Sequence, residues 1–576
     1  MGSGKGERAM ASERANFEIQ VMKDGRWIQQ SLVAEEAAAV TAAKKLLTDK
    51  KCEGARVLRN WARGDGTFDE KEIFSQTQAV RDDGPVHIVK IDEAPPKCEA
   101  PTDYYGAQSR AVTNRLFRNY MEKAYVTPTE LMHNYKELKR LQDKDTLLPS
   151  AVDRVAMLQT KDGEGDSKTR REEIFKSLDE MSAKARRADG MKLPKLNGAF
   201  KDMYDHVAGL AAEPTEADFL AMVVLSRDLV DVRSWAGKLE RLCALAAAEG
   251  DTHSLALLDG VIADVLGSNV VQEILGFQPS LAAAICAMLD LAEGTFVSDK
   301  SELGESAALL NDLFKQQKLP ESRNILIDRA HRQLRSPNPL YRNDPGKERD
   351  AFIQVVGRML GPDGPLFGAD TAEALTTRYT RMLDEGGAKG VTIAIANCFN
   401  VMPDMAYGIM YLCDLAASPI GPEHSADIMG HFQRVLSCVS ILRLCQRGLT
   451  PRDKMGRATA AHRSMQRSPF PAAMKDKVCA HIDAILERYL IEEEIIEKLD
   501  HHDSHLRDRA VRLVQFCAAG VLPEGKAMTR ARERILTLLR QPNFDAHFVD
   551  GIADPAKAQK ALRDFHVLLV RAGFGK

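Results

Sequence analysis

From about residue 110 to near its end, the chain repeats apolar residues at the spacing of one helix face. Leu255, Leu258 and Ile262 fall on one side of a helix, and Gly267 follows at the point where that helix should end. Helix pairs of about 40 residues resemble the spacing of helical repeats, yet no self-similar motif links one pair to the next. We therefore expect a mainly α protein, built as an irregular multi-helix bundle or a short α-superhelix.

Two more helices are predicted from the residues at their ends. Ser280 is typical of an N-cap, and the helix that follows should run to Ala292. A second helix is expected over residues 505–519, with Ser504 as its N-cap and Gly520 as its C-cap.

The N-terminal residues follow a different pattern, with a period of two. Phe17, Ile19 and Val21 alternate with polar residues, which is typical of a strand with one buried face. Asp24 and Gly25 then form a strong turn signal, because glycine accepts a positive φ. This segment predicts a β-hairpin.

The hairpin is expected to belong to a small α/β domain. An amphipathic helix is predicted over residues 35–49, and short extended segments over 55–59 and 72–77. The order of elements is then β-β-α-β-β, which would make one sheet with a helix on a single face.

Proline, glycine and charge clusters suggest the domain boundaries. Within the Pro-rich linker, residues 86–91 could form a strand that docks back on the sheet. The predicted division is a disordered tail over 1–14, the α/β domain over 15–80, the Pro-rich linker over 81–105, a helical segment over 106–200, a helical subdomain over 201–335, a loop over 336–350 and a C-terminal helical subdomain over 351–576.

Composition excludes several classes of protein. The 576 residues carry 79 Lys and Arg against 82 Asp and Glu, so binding to nucleic acid or membrane through bulk charge is excluded. No apolar run reaches the ~18 residues of a membrane span, and the first residues lack a secretory apolar segment. The 10 cysteines are scattered without a CxxC pair, which favours buried thiols in a reducing compartment. We expect a cytoplasmic location and no membrane span.

Charge is strongly segregated in the last third of the chain. Residues 434–475 hold nine basic residues and one acid, a net charge of +8, and residues 483–503 carry −6. Guanidinium groups bind phosphate and carboxylate through paired donors. The candidate anion- or partner-binding residues in this basic block are Arg443, Arg447, Arg452, Lys454, Arg457, Arg463 and Arg467.

Two interpretations of the basic block remain open. It could bind the phosphates of a nucleotide or nucleic acid, or it could face the adjacent acidic segment or a protein partner. We favour the second interpretation, because the compensating charge is adjacent in sequence and aromatic residues for base stacking are nearly absent between 433 and 469.

The densest group of metal-type ligands is His501, His502, Asp503 and His505. The His502–Asp503 doublet resembles the one in helical HD-type phosphohydrolases, and the resemblance implies a bound metal that activates water to attack a phosphate ester. Further ligands for such a set would be His462 or His481 upstream and Asp508 or Asp550 downstream.

A structural interpretation of the same segment is favoured over a metal site. Leu499 would end one helix, Asp503 and Ser504 would cap the next, and the histidines would lie in a solvated turn. A metal requires ligands that converge in space, which proximity in sequence alone does not provide.

No motif in the sequence identifies a reaction, and we predict no catalytic residue and no cofactor. We expect a non-enzymatic regulatory or scaffold protein of bacterial, cytoplasmic type that binds protein partners through its helical body and its tethered α/β module. Charge segregation of this strength sets register and partner choice in protein contacts. An open sheet edge could also pair with a second copy, and nucleic acid is not expected as a partner.

Overall fold

The structure is a computed structural model of the full chain. It describes residues 16–23, 26–48, 54–62, 68–77, 87–144, 146–161, 163, 165–297, 303–383 and 386–574. The predicted disordered tail and the Asp24–Gly25 turn lie outside these residues.

The N-terminal domain has the predicted order β-β-α-β-β. Its antiparallel sheet has the strand order β2-β1-β3-β4, so β2 and β4 are the edges of the described sheet. Pairing of such an edge with a second copy stays a prediction. The elements are β1 (Asn16–Lys23), β2 (Arg26–Val33), α1 (Glu36–Thr48), β3 (Gly54–Ala62) and β4 (Phe68–Thr77).

Alternation along β1 builds the core of this domain. Phe17 and Ile19 are buried and belong to one apolar cluster with Ala39 and Ala43 of α1. Small alanine side chains let the helix approach the sheet closely. Because this cluster joins residues of α1 and of the sheet, α1 packs on one face of the sheet.

The rest of the described chain is mainly α-helical, as predicted. A two-stranded ribbon, β5 (Leu360–Gly361) and β6 (Gly364–Pro365), interrupts it. The helices up to residue 335 are α2 (Ala107–Leu116), α3 (Arg118–Ala124), α4 (Pro128–His133), α5 (Tyr135–Gln142), α6 (Leu147–Gln159), α7 (Ser167–Asp189), α8 (Phe200–Ala208), α9 (Pro214–Leu229), α10 (Trp235–Ala248), α11 (Thr252–Leu266), α12 (Val270–Leu275), α13 (Leu281–Ala292), α14 (Gly304–Lys315) and α15 (Pro320–Arg335). Those that follow are α16 (Glu348–Arg358), α17 (Ala369–Arg381), α18 (Gly387–Val401), α19 (Met405–Ala416), α20 (Ser425–Gly430), α21 (Phe432–Leu436), α22 (Ile441–Leu444), α23 (Pro451–Arg467), α24 (Ala472–Glu492), α25 (Ile495–Leu499), α26 (Leu506–Ala518), α27 (Lys526–Leu539), α28 (Phe544–Phe548) and α29 (Pro555–Arg571).

The chain divides into two compact units. Unit 1 comprises Met1–Phe277 and Asp290–Ile327, and unit 2 comprises Gln278–Leu289 and Asp328–Lys576. The finer division expected from the sequence stays a prediction. None of the described helices combines the length and the hydropathy needed to cross a membrane.

The N-cap residue predicted from the sequence is confirmed for α13 and wrong for α26. Ser280 Oγ accepts the N–H of Ala283 at 3.1 Å ahead of α13. In α26, however, His505 and not Ser504 is the N-cap, because its Nδ1 accepts the N–H of Arg507 at 3.2 Å. Ser504 instead lies in the turn before the helix.

The Pro-rich segment docks on helices and not on the sheet. The N–H of Val89 donates to the carbonyl of Leu116 at 2.9 Å, and Ile91 is buried in the apolar core of α2 to α7. The expectation of a strand that returns to the sheet is therefore wrong. Residues 101–105 form a short 3-10 helix where an extended linker was expected.

Candidate functional site

The seven candidate residues of the basic block lie on α22, α23 and the loop between them. Thr450 begins α23 by accepting the N–H of Asp453 at 3.2 Å, and Pro451 occupies the first turn, where no N–H is needed. Ala458 and Met465 of α23 are fully buried. Because one side of α23 is buried in unit 2, its polar side is directed to solvent.

Three arginines share the solvent side of α23. Arg463 and Arg467 follow Arg452 by 11 and 15 positions, so all three fall within an arc of about 60° at 100° per residue. Each is exposed. The spacing produces a stripe of guanidinium groups along the helix.

Two further arginines lie next to exposed apolar side chains. Arg443 and Arg447 are exposed, and Val439 and Leu442 expose 55% and 48% of their surface. Arg488 of α24 donates to the carbonyl of Val439 at 2.8 Å, which holds this loop against α24. The surface therefore combines positive charge with apolar area.

Two predicted residues of the block, Lys454 and Arg457, are directed into unit 2 and away from solvent. Arg457 donates to Asp404 at 3.1 Å and lies 3.9 Å from the centre of the Tyr407 ring. Lys454 is buried, with 8% of its surface exposed. Neither side chain is placed to receive a ligand from solvent.

The buried carboxylates of the acidic segment, Asp483 and Asp500, bind groups outside the basic block. Asp500 accepts Nε of Arg509 at 2.8 Å and also binds Arg534. Asp483 accepts the N–H groups of Lys526 and Ala527, at 2.7 and 3.1 Å, at the start of α27. Among the described residues, no ion pair within 4.0 Å joins 434–475 to 483–503. The internal pairing expected from the sequence is therefore not formed there.

The remaining arginines are exposed on α22, on the loop that follows it and on α23, and we call them together the basic face. Arg463 has one distant acid, Asp363, at 4.0 Å, and the other members form no ion pair with any described residue. Phe432, Phe470 and Tyr489, aromatic residues near this block, are buried and offer no stacking surface. The basic face consists of Arg443, Arg447, Arg452, Arg463 and Arg467.

The predicted metal ligands lie in an exposed turn before α26. His501 Nδ1 is 3.6 Å and His502 Nε2 is 3.2 Å from the Asp503 carboxylate oxygens, and the two imidazole rings stack at 5.0 Å. The three side chains expose 56%, 84% and 74% of their surface. His505 uses its Nδ1 to cap α26, which leaves only Nε2 for a metal.

The further ligands considered for a phosphohydrolase do not join this group. His462 is buried in α23, and burial lowers the pKa of its imidazole. His481 Nε2 contacts the carbonyl oxygen of Cys438 at 2.7 Å. In the described chain, His501, His502 and Asp503 are the only group of three or more His, Cys, Asp or Glu residues whose ligand atoms all lie within 4.8 Å of one another. The metal site and the phosphohydrolase alternative stay predictions.

The sequence analysis did not predict the exposed apolar residues near the basic face. Val439 precedes α22 and Leu442 lies within it. This helix spans only Ile441–Leu444, so it is too short to show a helical period in the sequence. The proximity of these two residues to the arginines at 443 and 447 was the available signal.

Comparisons with known proteins give no relative for this chain. No protein-family model, no curated protein and no solved structure matches it.

Proposed function

We propose that this protein is a non-enzymatic, cytoplasmic regulatory or scaffold protein whose basic face binds an acidic surface on a partner protein. One observation carries the proposal: among the described residues, Arg443, Arg447, Arg452 and Arg467 form no ion pair, whereas Asp500 of the adjacent acidic segment is paired with Arg509 of α26 and Arg534 of α27. Exposed arginines without an internal partner can pair with the carboxylates of another protein.

A protein partner is favoured over nucleic acid by the chemistry of this surface. Single-stranded nucleic acid is held by aromatic side chains that stack on bases, and the aromatic residues near the block are buried. Val439 and Leu442 instead offer apolar area beside Arg443. Protein interfaces combine an apolar centre with arginine and a polar rim.

The test is an affinity experiment on cell extract treated with nuclease. The wild-type protein is compared with a variant that carries Arg443→Glu, Arg447→Glu and Arg467→Glu. Retained proteins are quantified by mass spectrometry at two salt concentrations. We expect at least one acidic protein to be retained by the wild type, lost about ten-fold or more in the variant, and weakened by salt.

A matched control carries the same change of charge in unit 1. Lys136 and Lys139 of α5 and Lys176 of α7 are exposed, so Lys136→Glu, Lys139→Glu and Lys176→Glu should leave the retained protein in place. Retention that the basic-face variant does not reduce would exclude this surface. Retention that is seen in a parallel untreated extract and absent from the nuclease-treated extract would favour the nucleic-acid alternative.

A further inference from the structure

A cavity of about 110 Å³ lies among α2 and α4 to α7 of unit 1. Its wall is formed largely by apolar side chains, among them Leu116, Leu141, Val152 and Ile174. Protein interiors hold few voids larger than a water molecule. An apolar void of about 150 Å³ lined by Leu, Ile and Phe stays dry and binds benzene. The size and lining of this cavity therefore suit a small apolar molecule.

One side of the cavity is closed by residues 91–98, which we call the strap. Pro95, Pro96 and Cys98 of the strap line the cavity. Gln159 Nε2 donates to the carbonyls of Pro95 and Pro96 at 3.0 and 2.9 Å, and Arg170 donates to the carbonyl of Cys98 at 3.0 Å. Gln159 therefore holds the middle of the strap, and Arg170 holds its end.

Ile91 and Cys98 fix the two ends of the strap because both are buried, whereas residues 92–97 between them can be displaced at little cost in buried apolar surface. Residues 92–94, 96 and 97 are exposed, so most of the strap already contacts water. The hydrogen bonds at Pro95 and Pro96 can be replaced by hydrogen bonds to water. Displacement of residues 92–97 would therefore open a route for a ligand to the cavity.

The polar side chains at the strap end already have partners in the protein. Arg170 Nε donates to Gln159 Oε1 at 2.8 Å, and Ser109 Oγ donates to the carbonyl of Asp103 at 2.9 Å. These groups need no hydrogen bond from a ligand. Recognition would depend on shape and on the removal of apolar surface from water.

We propose that this cavity binds a small apolar molecule, of the size of one aromatic ring or a short alkyl chain, which enters beneath the strap. The site is separate from the basic face, and its occupant would also stabilise unit 1, because a ligand that binds only the folded state raises its stability.

The test uses the full chain with toluene and 1-hexanol as apolar probes and glycerol as the polar control. Thermal unfolding is followed by circular dichroism, and binding by ligand-observed NMR. We expect a saturable rise in Tm of at least about 1 °C with an apolar probe and no saturable rise with glycerol. No rise with either apolar probe would overturn the proposal.

Variants distinguish this cavity from other sites. Ala151 is buried in its wall, so Ala151→Leu fills the space and should raise the Kd for toluene at least ten-fold. Ala247 is exposed on α10, and Ala247→Leu is the matched control that should bind as the wild type does. Equal affinity in Ala151→Leu and the wild type would overturn the assignment.

Two more variants keep the proposal testable if Ala151→Leu does not fold. Val152→Ala enlarges the cavity and should shift the preference from toluene to indole at least three-fold. Gln159→Ala removes two anchors of the strap and should speed ligand exchange at least three-fold. An unchanged ligand preference in Val152→Ala would contradict binding in this cavity. An unchanged exchange rate in Gln159→Ala would contradict entry of the ligand beneath the strap.

Discussion

The ammonium group of Lys238 binds the carboxylate of Glu130 where both side chains are fully buried. Lys238 lies on α10 and also donates to the carbonyl of Leu229 at 2.9 Å, at the end of α9. Glu130 lies on α4 and accepts the N–H of Thr127 at 2.9 Å. Burial raises the pKa of Glu130 and lowers the pKa of Lys238, since it disfavours the charged form of each. The pair ties α4, α9 and α10 together inside unit 1.

Loss of one partner of this pair should be strongly destabilising. In Lys238→Met the carboxylate of Glu130 remains buried without its cation, and we expect a loss of about 3–5 kcal/mol in the free energy of unfolding. The double variant Lys238→Met, Glu130→Gln removes both charges and keeps an oxygen for the N–H of Thr127. It should lose less than Lys238→Met alone. Urea unfolding of the single and double variants measures the coupling, and additive losses would contradict it.

This pair shows what local sequence patterns leave out. A lysine within the helix Trp235–Ala248 is interpreted from sequence as part of the solvent side, and its partner lies 108 positions earlier. Periodicity identified α11 and the elements of the β-β-α-β-β domain, and cap residues identified α13, because those signals lie within or next to one element. The burial of Lys238 depends on three helices that meet only in the fold.

The same limit applies to the candidate site. The local charge pattern predicted that the basic block binds an anion or a partner. It did not predict which of its arginines pair with acids inside the protein. Arg457 meets Asp404 53 positions away, and Asp500 meets Arg534 34 positions away. Only the fold separates Arg457 from Arg443 and Arg452, which form no ion pair with the part of the chain that the structure describes.

Arg457 and Arg463 should therefore respond differently to the same substitution. Arg457→Met leaves Asp404, which is 4% exposed, without its cation and removes the contact with the Tyr407 ring. We expect a loss of about 2–3 kcal/mol in the free energy of unfolding. Arg463 is exposed and 4.0 Å from its acid, so Arg463→Met should change stability by about 0.5 kcal/mol or less. Equal losses in chemical unfolding would contradict this division of the block.

His133 should make unit 1 sensitive to acid. Its ring is buried between Tyr105 and Phe219, and its Nδ1 lies 2.8 Å from the carbonyl oxygen of Thr129. Burial lowers its pKa from 6.5 to about 3. The folded state therefore keeps a neutral ring, and the stability that this provides is present above pH 6.5 and is lost as the pH falls toward 3.

The slope of stability against pH tests this assignment. Between pH 6 and 4, His133 alone should contribute a loss of about 1.4 kcal/mol per pH unit. His133→Phe keeps a ring between Tyr105 and Phe219 and removes the titrating group, so its loss in that range should be smaller by about this amount. Urea unfolding at several pH values gives both slopes, and parallel curves would exclude His133 as the cause.

Asp414 of α19 should oppose folding at neutral pH. Burial raises the pKa of its carboxyl from 3.8 to about 6. Because the folded state then binds the proton more tightly than the unfolded state, the folded state is favoured at low pH and loses stability as the pH rises from about 4 through 6. Above that range the cost reaches about 2–3 kcal/mol. Asp414→Asn removes the charge at nearly constant size, so it should raise the free energy of unfolding by about this amount at pH 7.5 and by little at pH 4.

Asp363, whose side chain is 79% exposed in the same unit, provides the charge-matched control, and Asp363→Asn should change stability by about 0.5 kcal/mol or less. Chemical unfolding at the two pH values decides the matter, since a gain that is equal at pH 4 and pH 7.5 would show that the ionised carboxyl of Asp414 is not what costs stability.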